Sequence, residues 1–404
     1  MIPVAEALRR LLDGLEPVGV EEVGVAEALG RVLAEDVRAR VTQPPWPVSA
    51  MDGYAVRAAD VATVPARLKV VGAIPAGASF AGAVGEREAV RIFTGAPLPT
   101  GADAIVIQED TKREGEAVVV GESAPKGRYV RPAGLDFRAG EIGLAAGRVM
   151  SARDVGLAAA MNVPWLRVRR RPQVAILATG DEVVRPGDPL GPNQIVSSNG
   201  FALAALIAAL GAMPISLGIA ADTIESLVDR AAHAAGADLL ITTGGASVGD
   251  HDLVQQALGQ KGLAVDFWKI AMRPGKPLMW GRMGRVPVLG LPGNPVSTLV
   301  CSLVFLKPAL DRLMGLKETA QPTATARLTR ALPANDRRQD YLRSTLAHGD
   351  GGALLVTPFE KQDSSMLSLM VRADCLVVRP PLDPTLVAGA AVEILTFPSG
   401  RAGF

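Results

Sequence analysis

Cysteine, histidine and net charge are all scarce in this chain of 404 residues. It has two cysteines and three histidines, and neither set has the spacing of a zinc site or the number that a disulfide framework needs. The formal net charge is +1, from 42 basic and 41 acidic residues, so no strong overall field favours nucleic acid or an anionic membrane surface. Any anionic ligand must therefore be bound by a local group of cations.

Segments for export or membrane insertion are also lacking. The N-terminal apolar pattern contains acidic residues and two arginines, so it does not resemble a secretory signal. Residues 200–221 carry no charge, but Gly211 and Pro214 divide them. This division favours a buried helix over 201–210 and a strand over 213–219 instead of a membrane span. We expect a cytoplasmic protein with no membrane and no nucleic-acid partner.

What the sequence does contain is enough apolar material for several cores. Hydrophobic residues make up 49% of the chain and charged residues 21%, and a chain of this length predicts several domains. Apolar residues at helical spacing over 4–15 predict an amphipathic first helix, and a second short helix is expected over 25–33. Short β-rich runs broken by glycine and proline follow, and helical pattern returns after Ser151, a candidate cap.

From Arg171 onwards, strand-like and helix-like runs alternate, which predicts a parallel sheet covered by helices. The last helix of this region is expected to follow Asn294, a candidate cap, with Pro295 at its first position. We expect it to run close to Met314 with a bend at Pro308. The earlier helices are expected over 201–210, 223–235 and 251–259.

These patterns predict four domains. The last one reads as short strands, which are typical of a β-barrel or a sandwich. The domains are a helical N-terminal domain, an inserted β-rich domain, an α/β domain and a C-terminal β domain, at residues 1–42 with 138–170, 43–137, 171–318 and 319–404 respectively.

Two loops at predicted strand ends carry small and acidic residues. Thr179, Gly180, Asp181 and Glu182 follow one strand, at the end where open α/β sheets bind ligands. The stretch "TTGGASVGDHD" follows another, and its glycines would allow close approach of a phosphate or nucleotide. A common Gly-Asp turn and an ordinary strand-to-helix turn with a capping aspartate are the alternatives.

Two further loops supply positive charge and backbone donors. Lys269 and Arg273 are four residues apart, hence on one side of an extended chain, and a Pro-Gly turn then delivers Lys276. Three cations at one place suit a phosphate ester or an oxyanion, although a solvated basic edge is the alternative. The loop "LPGNPVS" presents a helix start at the same rim. Carboxylates beside an anion suggest a bridging Mg²⁺.

The stretch "PPWPVSAMDGYAVR" stiffens the chain before a single carboxylate, Asp52. Taken alone, this stretch is a rigid linker that ends in a turn. Beside a cationic rim some 200 residues later, the rigidity can instead fix a carboxylate on one domain for use against a ligand held by another.

Seven stretches, in this order, resemble the molybdopterin molybdenumtransferases of the MoeA type, which are related to the E domain of gephyrin. They are "PPWPVSAMDGYAV", "RIFTGAPLPTGADAIVIQED", "VRPAGLDFRAG", "LATGDEVVRPGD", "TTGGASVGDHD", "MRPGKPLMWG" and "LPGNPVS". The resemblance covers nearly the whole chain. It implies a multidomain α/β plus β fold: an elongated subunit with a helical N-terminal domain, an inserted mostly-β domain, a central parallel-sheet α/β domain and a C-terminal β-barrel domain.

The resemblance also implies an activity. Such an enzyme is cytoplasmic and converts adenylylated molybdopterin and molybdate, with Mg²⁺, to molybdenum cofactor and AMP. Its subunits form homodimers, and the active site lies between the α/β domain of one subunit and the β domain with the MDGY motif of the other. Molybdopterin adenylyltransferase is a further expected partner.

The site residues follow by matching motifs. Members of the family often carry lysine where Arg273 stands, so the charge is kept but a planar fork replaces a point charge. The catalytic set implied here is Asp52, Thr94, Asp136, Glu182, Asp222, Asp252, Lys269 and Arg273, of which Glu182, Asp222 and Asp252 are the expected Mg²⁺ ligands. The expected substrate-binding set is Arg131, Thr179, Gly180, Asp181, Asn199, Gly244, Gly245, Ser247, Asp250, Lys276, Pro292, Gly293, Asn294, Pro295 and Ser364.

Two other functions fit parts of the sequence. Related α/β domains occur in molybdopterin adenylyltransferases and in nucleotide pyrophosphatases of the competence-damage type, but those do not require the β insertion. The other is a pterin carrier or scaffold, similar to the receptor-clustering use of the gephyrin relative. A scaffold would need only an exposed binding surface, so the clustered carboxylates and cations disfavour it.

Overall fold

A computed structural model of the chain describes residues 1–75, 77–244, 253–316 and 323–398. The chain forms two compact units. Unit A comprises Met1–Glu35, Ala146–Ala152 and Arg167–Phe404, and unit B comprises Asp36–Ala145 and Arg153–Leu166.

A six-stranded sheet forms the centre of unit A. Its first four strands are parallel, the fifth runs antiparallel to them, and the sixth pairs antiparallel with the fifth, so two strands extend the predicted parallel sheet. Runs of valine, isoleucine and leucine in the inner strands are buried on both faces, as a covered parallel sheet requires. In spatial order the strands are Met213–Ala220, Gln173–Thr179, Leu239–Thr243, Val286–Leu291, Met279–Met283 and Leu263–Trp268.

Helices cover this sheet close to where the sequence predicted them. They span Asn199–Ala209, Ile224–Ala232, Leu253–Gln260, Pro295–Cys301 and Lys307–Leu313, with a π-helical turn at Ser302–Leu306 joining the last two. The π-turn lies just before Pro308, whose missing N–H cannot continue a regular helix. Within the described ranges, no helix combines the length and apolar character that a membrane crossing requires.

The C-terminal part of unit A is a closed five-stranded barrel. Its strands are Thr323–Leu328, Gln339–His348, Leu354–Pro358, Cys375–Arg379 and Ala391–Thr396, with one helix at Leu367–Arg372. The strand Gln339–His348 pairs with both Leu354–Pro358 and Cys375–Arg379, which closes the barrel and excludes the sandwich. The short strand Met272–Arg273, from the loop after the α/β sheet edge, pairs with the barrel.

The first helix spans Val4–Asp13 and packs its apolar side into the core that the sheet and barrel share. The second predicted helix, over 25–33, is wrong, because only a 3₁₀ turn at Val25–Glu27 forms. Gly30 has a positive φ of 73° and its N–H donates to Met150, and the Leu33 N–H donates to Arg148. Tertiary pairing with residues 147–150 therefore replaces the helical hydrogen bonds.

Unit B contains a second six-stranded sheet, as predicted for a β-rich insertion. Its strands in spatial order are Ala104–Ile107, Gly53–Val56, Glu88–Ile92, Ala66–Ile74, Ala117–Val120 and Thr111–Glu114. Gly53 is required at the start of its strand, since a Cβ there would lie 2.0 Å from the Val106 carbonyl oxygen. A helix spans Ala152–Ala160, directly after Ser151.

Short strands complete the chain. They span Val20–Gly24, Val37–Arg38, Val48–Ser49, Val130–Arg131, Ile142–Leu144, Trp165–Arg169, Val183–Val184 and Ile195–Val196.

Candidate functional site

A cavity of about 900 Å³ in unit A opens at the carboxyl ends of the parallel strands. The α/β loops and the barrel both contribute to its wall. From the α/β loops come Thr179, Glu182, Asn199, Gly244, Arg273, Lys276, Pro292, Gly293, Asn294 and Pro295, and from the barrel come Arg338, Gln362, Asp363, Ser364 and Ser365. The barrel residues other than Ser364 were not predicted, because no local pattern shows which barrel segment faces the sheet.

Two strand ends meet tightly at the floor of this cavity. Gly244 has a φ of 92°, and a Cβ there would lie 2.3 Å from the Thr179 carbonyl oxygen, so only glycine fits. Thr179 is 2% exposed and its Oγ1 makes no hydrogen bond with any described residue. Buried hydroxyls are normally satisfied. This hydroxyl is shielded from solvent and has no hydrogen-bond partner among the described residues.

Asn199 fixes the loop that follows the neighbouring strand. Its Nδ2 donates to Thr243 Oγ1 at 2.9 Å and to the Gly293 carbonyl oxygen at 2.7 Å. Thr243 Oγ1 in turn donates to the Pro292 carbonyl oxygen at 3.2 Å. These bonds hold the loop of residues 292–295 rigid at the rim of the cavity.

Glu182 and two neighbouring carboxylates, Asp181 and Asp222, form an acidic cluster beside the cavity. Glu182 lines the cavity, and the Asp222 N–H donates to Asp181 Oδ1 at 2.9 Å. Burial, together with the negative charges of Asp181 and Glu182, raises the pKa of Asp222 above its ordinary value. No described cation forms an ion pair with these three side chains.

These carboxylates do not by themselves make a metal site. Across the described residues, no three carboxylate, histidine or cysteine side chains are grouped so as to hold a metal ion. Mg²⁺ at nucleotide sites is usually held by one or two carboxylates together with phosphate oxygens and water. Glu182 and Asp222 fit that kind of site, with the remaining ligands from the substrate.

Of the three expected cations, Arg273 and Lys276 line the cavity and Lys269 is not among its lining residues. The chain is not extended from Lys269 to Arg273, because Lys269 has a φ of 76° and lies beyond the end of its strand. Lys269 Nζ lies 4.4 Å from the centre of the Trp268 ring, a cation–π contact. Arg273 and Lys276 line the cavity, and Lys276 Nζ has no partner among the described residues.

Arg273 is paired with acidic residues of the barrel. Its Nε donates to Asp340 Oδ1 at 2.8 Å and its Nη2 to Asp340 Oδ2. This carboxylate raises the pKa of Arg273 above its ordinary value. Arg338, just before the strand Gln339–His348, pairs with Asp336 at 2.7 Å and also lines the cavity.

A barrel loop carries Ser364 to the rim. Ser364 Oγ accepts a hydrogen bond from Asn294 Nδ2 at 2.7 Å, and its carbonyl oxygen accepts one from the Val296 N–H at 3.1 Å. The predicted cap is therefore wrong in detail, since the Asn294 side chain makes no capping bond. Arg343, 1% exposed, donates to Gln362 and to the Asp363 carbonyl oxygen, which fixes the loop from behind.

Unit B carries the carboxylate that the sequence singled out. Asp52 Oδ1 accepts hydrogen bonds from the Thr94 N–H and from Thr94 Oγ1, each at 2.8 Å. These two bonds, with the positive charge of Arg91, lower the pKa of Asp52 below its ordinary value. Asp52 Oδ2 accepts no hydrogen bond from a described residue, so a charged oxygen is presented.

Arg91 is a residue of this site that the sequence did not predict. Its guanidinium lies 5.2 Å from the Tyr54 ring centre and 4.8 Å from that of Phe93, and it donates to the Gly53 carbonyl oxygen at 3.0 Å. Arg91 and Phe93 are two residues apart, so the alternation of a strand places their side chains on the same face. The sequence does not show that this face lies beside Tyr54, because that depends on the register between the strands.

Arg131 and Asp136 lie on segments that pair with the approach to Asp52. Arg131 is opposite Val48, and the Asp136 N–H donates to the Gln43 carbonyl oxygen at 3.0 Å. Both side chains are exposed and make no hydrogen bond with a described residue. Four predicted site residues, Gly245, Ser247, Asp250 and Asp252, lie outside the described residues.

Comparison with known families covers nearly the whole chain. Residues 2–162 match a family described as "MoeA N-terminal region (domain I and II)". Residues 175–312 match a "probable molybdopterin binding domain", and residues 325–397 match the "MoeA C-terminal region (domain IV)".

Individual relatives agree with these matches. A molybdopterin molybdenumtransferase of Nostoc sp. is 38% identical over 94% of this chain and 89% of its own length. A molybdopterin molybdenumtransferase of Haemophilus influenzae is 34% identical over 98% of this chain and 99% of its own length. The crystal structure of a molybdopterin biosynthesis MoeA protein from a Pyrococcus species superimposes with a TM-score of 0.85 at 32% identity, over 100% of both chains.

Proposed function

Because the chain belongs to the molybdopterin molybdenumtransferase family, we propose that it inserts molybdate into adenylylated molybdopterin with Mg²⁺, releasing AMP and forming molybdenum cofactor. It is an enzyme of molybdenum cofactor biosynthesis. The observation that carries this proposal is the cavity of unit A, which is lined by Lys276, a cation that pairs with no described residue, and by Glu182, a carboxylate that forms no ion pair with a described cation.

The positive and neutral donors of the cavity suit the anionic parts of the substrates. Lys276 has no described carboxylate to neutralise it, so its charge is available to a phosphate or to molybdate. The rigid loop of residues 292–295 supplies neutral groups at the same cavity. These groups orient the substrate and need no rearrangement during the reaction.

The carboxylates supply the opposite charge. Glu182 and Asp222 would hold Mg²⁺ together with oxygens of the diphosphate. The bound ion supplies charge neutralisation of the diphosphate that is cleaved. Burial of Asp222 without a cation is unfavourable, and a site of this kind is expected where function requires the charge.

We further propose that the enzyme acts as a homodimer in which unit B of one copy completes the site of the other. Asp52, held as a carboxylate by Thr94, would act together with Arg131 and Asp136 on the substrate bound in the partner's cavity. A carboxylate with one oxygen fixed and the other open can orient a substrate group without moving. A cytoplasmic molybdopterin adenylyltransferase would supply the adenylylated substrate.

A coupled assay tests this function. Purified protein with adenylylated molybdopterin, Mg²⁺ and molybdate should activate an apo molybdoenzyme, and Glu182→Gln should lose roughly 100-fold or more of this activation. Glu225→Gln, an exposed carboxylate on the helix Ile224–Ala232, is the matched control and should keep it. If the protein binds the pterin tightly but no combination with molybdate yields active enzyme, it is a carrier.

A further inference from the structure

Arg91 of unit B lies among the residues that surround Asp52. It is directly opposite Tyr54 in the antiparallel pairing of their two strands, and directly opposite residues place their side chains on the same face of a sheet. Its guanidinium lies 5.2 Å from the centre of the Tyr54 ring and 4.8 Å from that of the Phe93 ring. Because a planar guanidinium packs well against aromatic rings, these two contacts fix where the Arg91 side chain lies.

Polar groups hold the same guanidinium at its two terminal nitrogens. Nη1 donates to the Gly53 carbonyl oxygen at 3.0 Å, and Nη2 donates to Gln108 Oε1 at 2.6 Å. Gly53 directly follows Asp52 in the chain, and the Gln108 N–H donates to the Asp52 carbonyl oxygen at 3.1 Å. Arg91 therefore bonds to two residues that hold the backbone of Asp52, one through the chain and one through a hydrogen bond.

The side chain of Asp52 is connected to Arg91 through Phe93. Phe93 directly precedes Thr94, whose N–H and Oγ1 each donate to Asp52 Oδ1 at 2.8 Å. The contact between Arg91 and the Phe93 ring thus restrains the segment that carries both donors. These two bonds, and then the positive charge of Arg91, lower the pKa of Asp52. The same arginine favours both the position and the charge of the carboxylate.

A lysine at position 91 would keep the charge and lose the arrangement. Its single ammonium nitrogen has no planar face to lie against two rings, and it has no fork whose ends could reach the Gly53 and Gln108 oxygens together. All of these contacts are internal to unit B, so they are present before any substrate binds. Groups that are already oriented in this way need no rearrangement during a reaction.

We propose that Arg91 is a positioning residue, which through these four contacts holds Asp52 and Thr94 in the geometry that leaves one carboxylate oxygen open. This inference rests on the proposed action of Asp52 on the substrate. It assigns Arg91 a part in the reaction that requires no contact between Arg91 and the substrate.

Amide hydrogen exchange of the full-length protein tests the proposal without catalysis. In Arg91→Lys, the Thr94 and Gln108 amides, which donate to Asp52, should exchange roughly tenfold faster than in the wild type, because the segments that carry them are less restrained. Gln108→Ala removes one acceptor of Arg91 at an exposed position and should speed exchange of the Thr94 amide by a smaller factor. This second variant decides the test if Arg91→Lys does not fold.

Two control variants separate positioning from a general loss of stability. Arg67→Lys changes an exposed arginine of the same sheet, which pairs with Glu114. Val118→Ala leaves a cavity in the core of that sheet and should lower the free energy of unfolding. Both should leave exchange of the Thr94 amide unchanged. An unchanged Thr94 amide in Arg91→Lys, or equal acceleration in Val118→Ala, overturns the proposal.

A double-mutant cycle relates Arg91 to Asp52 in the reaction. Arg91→Lys should lower kcat roughly tenfold with little change in KM, since the carboxylate is misplaced and the substrate contacts are kept. In the Asp52→Ala background the same change should cause no further loss, because no carboxylate is left to position. An equal loss in both backgrounds, or a change confined to KM, would show that Arg91 acts on the substrate directly and overturns the proposal.

Exchange and activity together separate this inference from the proposed function. A protein that transfers no molybdenum, but whose Thr94 amide exchanges faster in Arg91→Lys, contradicts the function and keeps the inference. An active protein whose Thr94 amide stays protected in Arg91→Lys and in Gln108→Ala contradicts the inference alone. A Thr94 amide that is unprotected in the wild type contradicts the hydrogen bond to Asp52 on which the inference depends.

Discussion

At the scale of one residue, the charge of Asp222 lowers the stability of the free protein. It is partly buried beside two other carboxylates and no described cation pairs with it, so its ionised form is unfavourable in the free protein. Natural sites often keep such groups because function requires them. The cost should disappear when the charge is removed or when a cation binds.

Asp222→Asn is therefore expected to leave the free energy of unfolding unchanged or higher, while activity falls roughly 100-fold. Mg²⁺ at about 100 times its Kd should stabilise the wild type by about 2.7 kcal/mol and the variant by much less. Urea unfolding with and without Mg²⁺ measures this difference. Asp229→Asn, an exposed carboxylate on the next helix, is the control and should behave as wild type; a clear loss of stability in Asp222→Asn would show a structural role instead.

Asp52 has the opposite character, because Thr94 stabilises its charge. Since its folded pKa is lowered, its contribution to stability is present above the ordinary value of 3.8 and is lost as the pH falls through the folded pKa. Wild type and Asp52→Asn should differ in their unfolding midpoint at pH 7, and this difference should shrink as the pH falls below 3.8. A difference that persists unchanged at pH 3 would contradict the assigned cause.

The activity of Asp52→Ala should fall roughly 100-fold or more while its far-UV circular dichroism stays native. The Asp52 backbone keeps its own bond, since the Gln108 N–H donates to its carbonyl oxygen at 3.1 Å. Thr94→Ser, which retains both donors, should keep most of the activity. Unfolding of Asp52→Ala at much lower temperature would mark Asp52 as a structural turn residue.

At this scale, the sequence named acidic residues near the cavity, but it did not predict which carboxylates pair with the cations. Glu182 was singled out because it follows a strand that a buried apolar run reveals, whereas Asp222 was named only through the resemblance to the family. The pairing of Arg273 with Asp340 joins residues 67 apart. No periodicity in the sequence encodes which carboxylate a distant loop will meet, so Arg273 was assigned a free charge that the structure shows to be paired.

At the scale of elements, the loop that carries Arg273 and Lys276 packs directly against the helix Pro295–Cys301. Gly275 has a φ of 116°, and a Cβ there would lie 2.4 Å from Cys301 Sγ. Cys301 is fully buried, and this burial raises the pKa of its thiol. Contact with this helix thus fixes how closely the loop approaches it, and with that the positions of both cations.

Gly275→Ala should destabilise the protein by about 2–4 kcal/mol, through backbone strain and overpacking. The double variant Gly275→Ala/Cys301→Ala should recover only part of this loss, because it removes the clash and leaves the strained φ. Equilibrium unfolding measures both. Gly259→Ala is a matched control, as a Cβ there meets nothing within 4 Å. Full recovery in the double variant would show that strain at position 275 is negligible.

Elements with strong local patterns were predicted well. The helices after Pro295 and over Ile224–Ala232, and the buried strands between them, follow from apolar periodicity and flanking glycine and proline. The helix expected over 25–33 failed because hydrogen bonds to residues 147–150 override local propensity. Such long-range pairing leaves no signal in a short window.

At the scale of the whole molecule, the proposal divides one active site between two copies. Unit A holds the cavity and unit B presents Asp52. A copy inactivated in unit A and a copy inactivated in unit B should therefore restore activity to each other when they form a dimer. Co-expression of Asp52→Ala with Glu182→Gln should restore about a quarter of the wild-type activity, because half the dimers are mixed and one of their two sites is intact. Mixed dimers purified with two tags should have about half of the wild-type activity, since one of their two sites is intact; no recovery in them would contradict a shared site.

The central claim is that molybdate is a substrate whose insertion is coupled to cleavage of the adenylylated pterin. The most direct measurement is AMP release by the purified wild-type protein with adenylylated molybdopterin and Mg²⁺, with and without molybdate. We expect AMP release that requires molybdate and matches the cofactor formed. AMP release at the same rate without molybdate, or none with it, would show that cleavage is not coupled to molybdate insertion.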